Sequence, residues 1–170
     1  MKVACIGSRD ISHKLRSNLI EIGEYIASCG WTVVSGNAIG SDAAYAEGAN
    51  KIDESKVELY LPWQTYNTSF IKPGNILKLF DSAWKEVAIK HHPIYASLSQ
   101  GAQKMMDRNA GIIINSDVVL AVLNHSKTGG GGTGHGWRIA ESLSKPRLDV
   151  SKIKSSNEAI HFLKQLNKVI

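Results

Sequence analysis

The chain has 170 residues, of which 43% are hydrophobic and 21% charged, and it carries a net charge of +5 with an isoelectric point near 9.2. This composition excludes an intrinsically disordered protein, and the length fits one domain with a buried core. The positive charge favours anionic ligands, but it is too small and too scattered to indicate nucleic-acid binding by itself.

Strand and helix signals alternate along the sequence. The predicted strands are short, β-branched apolar runs, and the predicted helices carry apolar residues every three or four positions. Ser41 or Asp42 is placed to cap the second helix. In chain order the predicted elements are strand 2–7, helix 13–28, strand 31–36, helix 42–49, strand 56–63, loop 64–73, helix 76–90, helix 99–111, strand 117–123, strand 146–150 and helix 155–167.

Alternation of this kind predicts an α/β fold, a single doubly wound and mainly parallel sheet with helices on both faces. We find no repeat and no domain boundary, so one domain is expected over 1–170, with its core in 2–150. No signal peptide and no membrane span is predicted. A cytoplasmic protein is therefore expected, with Cys5 and Cys29 as free thiols.

The segment HSKTGGGGTGHGW, residues 125–137, has an unusual density of glycine. Glycine raises the entropy lost on folding, so such a cluster indicates either a flexible linker or a backbone that must approach a ligand closely. Here the cluster follows an apolar strand and precedes a helix, which is the arrangement of a phosphate-binding loop. His125 and His135 flank the loop and are candidates for ligand contact.

Three loops at the predicted carboxyl edge of the sheet combine glycine with hydroxyl side chains. Their backbone N–H groups, helix N-termini and the planar fork of Arg9 suit phosphate oxygens. Tight packing explains Gly7, Gly36 or Gly40 equally well when each is taken alone. The candidate phosphate-binding residues are Gly7, Ser8, Arg9, Ser35, Gly36, Asn37, Gly40, Ser41, Asp42, Thr128, Gly129, Gly130, Gly131, Gly132 and Thr133.

Two common nucleotide motifs are missing. The glycines are not followed by Gly-Lys-Ser/Thr, and GSRDIS after the first strand lacks the further glycines of a dinucleotide fingerprint. No carboxylates or cysteines lie near His125 and His135, so no metal and no resident cofactor is expected. Trp63, Tyr66 and Trp137 are candidates either for stacking on a base or for the core.

Three further stretches are informative: GSR after the first strand, GWTVVSGNAIGSDAAYAEGA at 30–49 and MMDRNAGIIINSDVVLAVL at 105–123. Together they resemble the DprA/LOG (SLOG) superfamily of Rossmann-like nucleotide-binding domains. The second meets the DprA pattern G-W-x-V-V-S-G-x-A-x-G-I-D-x-x-A, with Ser41 in place of the apolar residue. The resemblance covers Lys2 to Val150. It implies phosphate loops, adds Arg108 and Asn109 to the candidate site, and implies self-association through the helices that flank the site.

Functions within this superfamily differ. LOG-type enzymes cleave nucleoside monophosphates and carry the motif P-G-G-x-G-T-x-x-E, whose glutamate acts in catalysis. The resemblance places Gly136 at the position of that glutamate and Thr128 at that of the proline, while Glu141 lies further along the predicted helix. No catalytic residue is therefore assigned.

The leading expectation is a protein that binds a nucleotide or nucleotide-derived small molecule as sensor, sequestering protein or carrier. The alternatives are a nucleotide N-glycosidase, for which Asp10 or Asp42 could substitute for the missing glutamate, and a DprA-like single-stranded DNA binder.

Overall fold

The computed structural model describes residues 1–126 and 131–168. Its strands form one parallel sheet in the order β4-β3-β2-β1-β5-β6. The strands are β1 (Lys2–Gly7), β2 (Thr32–Ser35), β3 (Val57–Tyr60), β4 (Ile76–Lys78), β5 (Val118–Val122) and β6 (Arg147–Asp149). The helices are α1 (His13–Ser28), α2 (Ser41–Ile52), α3 (Ser82–Lys90), α4 (Gln100–Ile114), α5 (Gly131–Ser142) and α6 (Ser156–Asn167).

The sheet is covered on both faces, as the predicted doubly wound α/β fold requires. Val3 and Cys5 of β1 lie in a core shared with α1, α2 and α6. Ala4 and Ile6 of the same strand lie in a second core with α3, α4 and α5. This alternation follows from the two-residue period of a strand, because a central strand that is buried on both faces has apolar residues at every position.

The order of the strands reverses between β1 and β5. The chain runs from β1 through β2 and β3 to β4 at one edge, and then returns to place β5 on the other side of β1. The Ser8 N–H donates to the Val122 carbonyl at 3.0 Å, so the ends of the two strands are held together. In an open parallel sheet, a crevice forms at the carboxyl ends of such a pair of strands.

Two sequence predictions about secondary structure are wrong. Residues 76–90 form β4 and then α3, not one helix, because Ile76–Lys78 pairs with β3 and the Asp81 side chain caps α3 by accepting the Ala83 N–H at 2.9 Å. Helix α2 is capped neither by Ser41 nor by Asp42. It begins at Ser41 after Gly40, whose φ of 82° lies in the left-handed region. Asp42 is turned back towards the loop after β2, as described below.

No helix within the described ranges is long and apolar enough to cross a membrane.

His135 is fully buried beside the second core, contrary to the expectation of ligand contact. Its Nε2–H donates to the Ala88 carbonyl at 3.2 Å, and its Nδ1 atom has no partner among the described residues. The His92 ring lies 5.4 Å away between ring centroids. Burial lowers the pKa of His135 from its ordinary value of 6.5 to about 4, and the positive field of His92 and Arg138 acts in the same direction.

This shift predicts acid sensitivity. Between pH 6.5 and 4 the unfolded chain binds a proton at His135 that the folded chain does not, so stability falls as the pH decreases through this window. From pH 7 to pH 5 the free energy of unfolding is expected to drop by about 2 kcal/mol from this group. Urea unfolding at both pH values measures the drop. His135→Leu should lose this drop, and an equal drop in the variant would contradict the assignment.

Candidate functional site

A cleft of about 530 Å³ opens at the carboxyl ends of β1 and β5, between the loop after β1, helix α4 and the start of α5. The structure brings together residues from all three sequence stretches that suggested the site. Of the predicted phosphate-binding residues, those that line the cleft are Gly7, Ser8, Arg9, Asp42, Arg108, Asn109, Gly131, Gly132 and Thr133.

The remaining predicted residues do not line the cleft or cannot be placed. Ser41 donates its hydroxyl to the Ser8 carbonyl at 2.8 Å, and Asn37 donates its amide to the loop that follows β3. Ser35 is fully buried at the end of β2. Gly36 and Gly40 lie in the loop between β2 and α2. Thr128, Gly129 and Gly130 lie outside the described residues.

A buried ion pair forms one wall of the cleft. Asp42 and Arg108 are 3% and 5% exposed, and Asp42 Oδ2 lies 3.7 Å from Arg108 Nη1. The same carboxylate oxygen accepts the N–H groups of Gly36 at 3.1 Å and Ala38 at 3.3 Å. Burial raises the pKa of Asp42, while Arg108 and these N–H groups oppose the rise. The carboxylate therefore holds both the loop after β2 and the guanidinium in place.

Arg108 has more N–H donors than it has acceptor groups around it. Its Nη2 atom makes a weak contact with the Met105 sulfur at 3.7 Å, and the guanidinium carbon lies 5.8 Å from the centre of the Tyr66 ring. Its Nε atom is buried and has no partner in the described part of the chain. Burial lowers the pKa of Arg108, and the positive field of Arg9 adds to this effect. A guanidinium with unfilled donors on a cleft wall can donate hydrogen bonds to an anion.

Packing requires glycine at three of the predicted positions. A Cβ atom at Gly36 would overlap the Arg108 guanidinium, and one at Gly40 would overlap the Arg9 backbone. At Gly7 a Cβ atom would come within 2.6 Å of both Ser41 Oγ and Val122 Cβ. The packing interpretation therefore accounts for Gly7 and Gly40. Gly36 is needed for a reason tied to the site, because it leaves room for the buried cation.

Asn109 connects the two helices that border the cleft. Its amide donates to the Gly132 carbonyl at 3.1 Å, which fixes the start of α5 against α4. Gly131 has a φ of 59°, a left-handed conformation that suits glycine at this turn into the helix. The first N–H groups of α5 have no carbonyl partner within the helix, so an anion in the cleft can accept from them.

Other candidate residues lie away from the cleft. His125 pairs with Asp149 at 2.7 Å beyond the end of β5, and Glu141 pairs with Arg147 at 2.6 Å near the end of α5. Trp137 lies against Arg147, 5.2 Å from its guanidinium carbon. The carboxylates on the cleft wall are those of Asp10, which is exposed, and Asp42.

Sequence reasoning missed several residues of the cleft wall. Met105 and Met106 line it from α4, together with Ala102. A spacing of three between Met105 and Arg108 was the available signal, since residues three apart share a helix face. Asn124 was overlooked although it directly follows β5, where site residues of a parallel sheet are found.

Comparison with known proteins identifies proteins that are similar in sequence or in fold. The sequence model of DNA recombination-mediator protein A matches residues 1–58, which include β1, β2 and the loops that follow both strands. The predicted resemblance to the DprA/LOG superfamily is confirmed. No curated protein matches the chain.

Several solved structures share the fold. The Moco carrier protein from Chlamydomonas reinhardtii is 18% identical with a TM-score of 0.66, over 99% of this chain and 98% of that one. The molybdenum cofactor binding protein from Rippkaea orientalis is 18% identical with a TM-score of 0.62, over 97% and 96%. DNA processing protein A from Helicobacter pylori, described in a single-stranded DNA binding mode, is 19% identical with a TM-score of 0.58, over 97% and 73%. Identities this low establish the common α/β fold alone.

The position of Gly36 gives a direct test of the buried pair. Gly36→Ala should displace the Arg108 guanidinium and lower the free energy of unfolding by about 1–3 kcal/mol, the usual cost of overpacking. Chemical denaturation measures the loss. Gly101→Ala is the matched control, because a Cβ atom there meets nothing within 4 Å and alanine favours the helix. Equal stability of the two variants would show that Arg108 is not held beside Gly36.

Proposed function

We propose that the protein binds a phosphate-bearing nucleotide or nucleotide-derived small molecule in this cleft, as a sensor, sequestering protein or carrier. The observation that carries the proposal is Arg108, a buried cation on the cleft wall whose Nε atom has no partner among the described residues. A buried cation with an unpartnered donor costs free energy, and an anion bound in the cleft beside the guanidinium would offset part of that cost.

The surrounding residues suit the same ligand. Arg9 is exposed on the cleft wall and adds a second guanidinium, which can bind two phosphate oxygens at once. Helix α5 points its first turn, at Gly131–Thr133, at the cleft, and the partial positive charge of a helix N-terminus favours phosphate. A volume of about 530 Å³ is in the range of small-molecule sites. Neighbours named as Moco carrier and molybdenum cofactor binding proteins support a binding role on this fold.

A second candidate function is binding of single-stranded DNA. It is favoured by the match of residues 1–58 to DNA recombination-mediator protein A, because this segment contributes Gly7, Ser8, Arg9 and Asp42 to the cleft. In this case Arg9 would contact the backbone of a polynucleotide.

Arg9 tests the leading proposal. Among the ion pairs of the described residues, none involves Arg9, so Arg9→Ala should leave the melting temperature nearly unchanged. Affinity for a stabilising nucleotide, first identified by a thermal-shift screen, should fall by about 1.5–3 kcal/mol, the range for hydrogen bonds to a charged group. Arg9→Lys should retain only part of the affinity that Arg9→Ala loses, since an ammonium lacks the planar fork of a guanidinium.

Calorimetric titration measures these affinities. Arg16→Ala is the control, because Arg16 pairs with Glu47 on the surface outside the cleft. Unchanged affinity in Arg9→Ala would remove Arg9 from the site. Release of free base from a nucleoside monophosphate during the titration would instead favour the N-glycosidase alternative.

The salt dependence of binding separates the two candidates. A single-stranded DNA binder that neutralises several phosphates should lose affinity steeply with salt, with a slope of about −0.7 in log K against log salt for each phosphate contacted. A small-molecule binder should show no measurable affinity for an oligonucleotide at 0.15 M salt. Fluorescence anisotropy with a labelled oligodeoxynucleotide between 50 and 200 mM salt, roughly the range over which such slopes are read, makes the measurement. Tight binding with a slope of several units would overturn the small-molecule proposal.

A further inference from the structure

A second cavity, of about 340 Å³, adjoins the cleft. Arg9 and Met105 line both spaces, so the two are neighbours on either side of these side chains. The second cavity differs from the cleft in its aromatic side chains, because Trp63 and Tyr66 line it together with the aliphatic Ile39.

Trp63 and Tyr66 form an edge-to-face pair. Their ring centroids lie 5.1 Å apart at an interplanar angle of 85°. Trp63 remains 40% exposed and Ile39 51% exposed, so an indole and an aliphatic side chain border the same cavity and face solvent. Large apolar groups exposed around a concavity are typical of a site for a flat apolar ligand surface.

The loop that carries Trp63 and Tyr66 is held by hydrogen bonds to the loop after β2. The buried Asn37 side chain donates to the Tyr66 and Asn67 carbonyls, both at 3.1 Å, and the Asn67 amide donates back to the Asn37 carbonyl at 2.9 Å. Both asparagines have a left-handed backbone conformation, with φ of 56° for Asn37 and 46° for Asn67. Two residues held in an uncommon conformation by reciprocal hydrogen bonds give a preorganised loop, which reduces the entropy lost when a ligand binds. Asn37 is therefore a positioning residue for the aromatic pair.

The aromatic pair is also connected to the buried cation. The Tyr66 ring lies 5.8 Å from the Arg108 guanidinium carbon, within the range of a cation–π contact. A ligand that places an anionic group against Arg108 is thus close to the aromatic cavity, with Arg9 on the wall between the two spaces.

We infer that the second cavity binds the planar heteroaromatic ring of the ligand whose phosphate is held in the cleft, with Trp63 as the stacking surface. This inference rests on the proposed function and narrows its ligand to a phosphate that carries such a ring. Stacking on an aromatic side chain needs only a π face, so Trp63 favours rings as a class and does not select among bases.

A pair of probes that differ only in the ring tests the inference. Adenosine monophosphate and ribose 5-phosphate carry the same sugar and phosphate, and only the former has a base. Wild-type protein should bind adenosine monophosphate more tightly. Trp63→Leu should lower the affinity for adenosine monophosphate by about 5- to 150-fold, the range for loss of one stacked base. The affinity for ribose 5-phosphate should not change. Isothermal titration calorimetry measures both probes.

Two further variants control for indirect effects. Trp63→Phe keeps an aromatic face and should retain most of the affinity for adenosine monophosphate. Phe70→Leu changes another aromatic residue of the same loop region, 41% exposed, that lines neither space, and it should bind both probes as wild type does.

The outcomes separate the two proposals. If the wild-type protein binds neither probe nor an oligodeoxynucleotide, the proposed function fails, and the ring site fails with it. If both probes bind equally well and Trp63→Leu changes neither, phosphate binding stands and the ring site alone is overturned. If only the oligodeoxynucleotide binds and loses affinity in Trp63→Leu, the cavity takes a ring as inferred, and its source is a polynucleotide.

Discussion

The buried contact between Asp42 and Arg108 is the constraint on which the rest of the cleft depends. Asp42 accepts from the Gly36 and Ala38 N–H groups and so fixes the loop after β2, while its charge holds Arg108 of α4 across the sheet edge. Removing two charges from water is costly, and such pairs add little to stability. In this pair the Asp42 carboxylate accepts two backbone hydrogen bonds, whereas the Arg108 Nε atom has no partner among the described residues. The proposed binding of an anion in the cleft rests on this asymmetry.

The order of the strands explains why the polar groups converge at this place. β1 and β5 are neighbours, and the chain leaves their carboxyl ends in opposite directions. The loops therefore separate and open a space that α4 closes on one side. The match to DNA recombination-mediator protein A covers residues 1–58, which bring Arg9 and Asp42 to the cleft. Arg108, Asn109 and α5 come from the rest of the chain, so the cleft requires the folded chain.

The sequence predicted the central parts of the fold because those parts are dictated by local pattern. A buried parallel strand has apolar residues on both faces, and β1, β2 and β5 show this directly. Prediction failed at Ile76–Lys78, where three residues at the sheet edge become a strand through pairing with β3, which local pattern does not encode. It also failed for Asp42 as a cap. A carboxylate at a helix start can accept from the first turn or turn away, and here it turns away to two loop N–H groups and to Arg108 of a distant helix.

The depths of the two arginines bear on which class of anion fits best. Arg108 is 5% exposed, so a phosphate must enter the cleft to reach it, whereas Arg9 is exposed. A terminal phosphate monoester has three free oxygens and can enter end-on. A phosphodiester within a polynucleotide has a sugar on each side, which hinders end-on entry and leaves the exposed Arg9 easier to reach than the buried Arg108. Full use of the buried guanidinium thus needs a terminal phosphate, and this favours a nucleotide or a nucleotide-derived small molecule over the interior of a DNA strand.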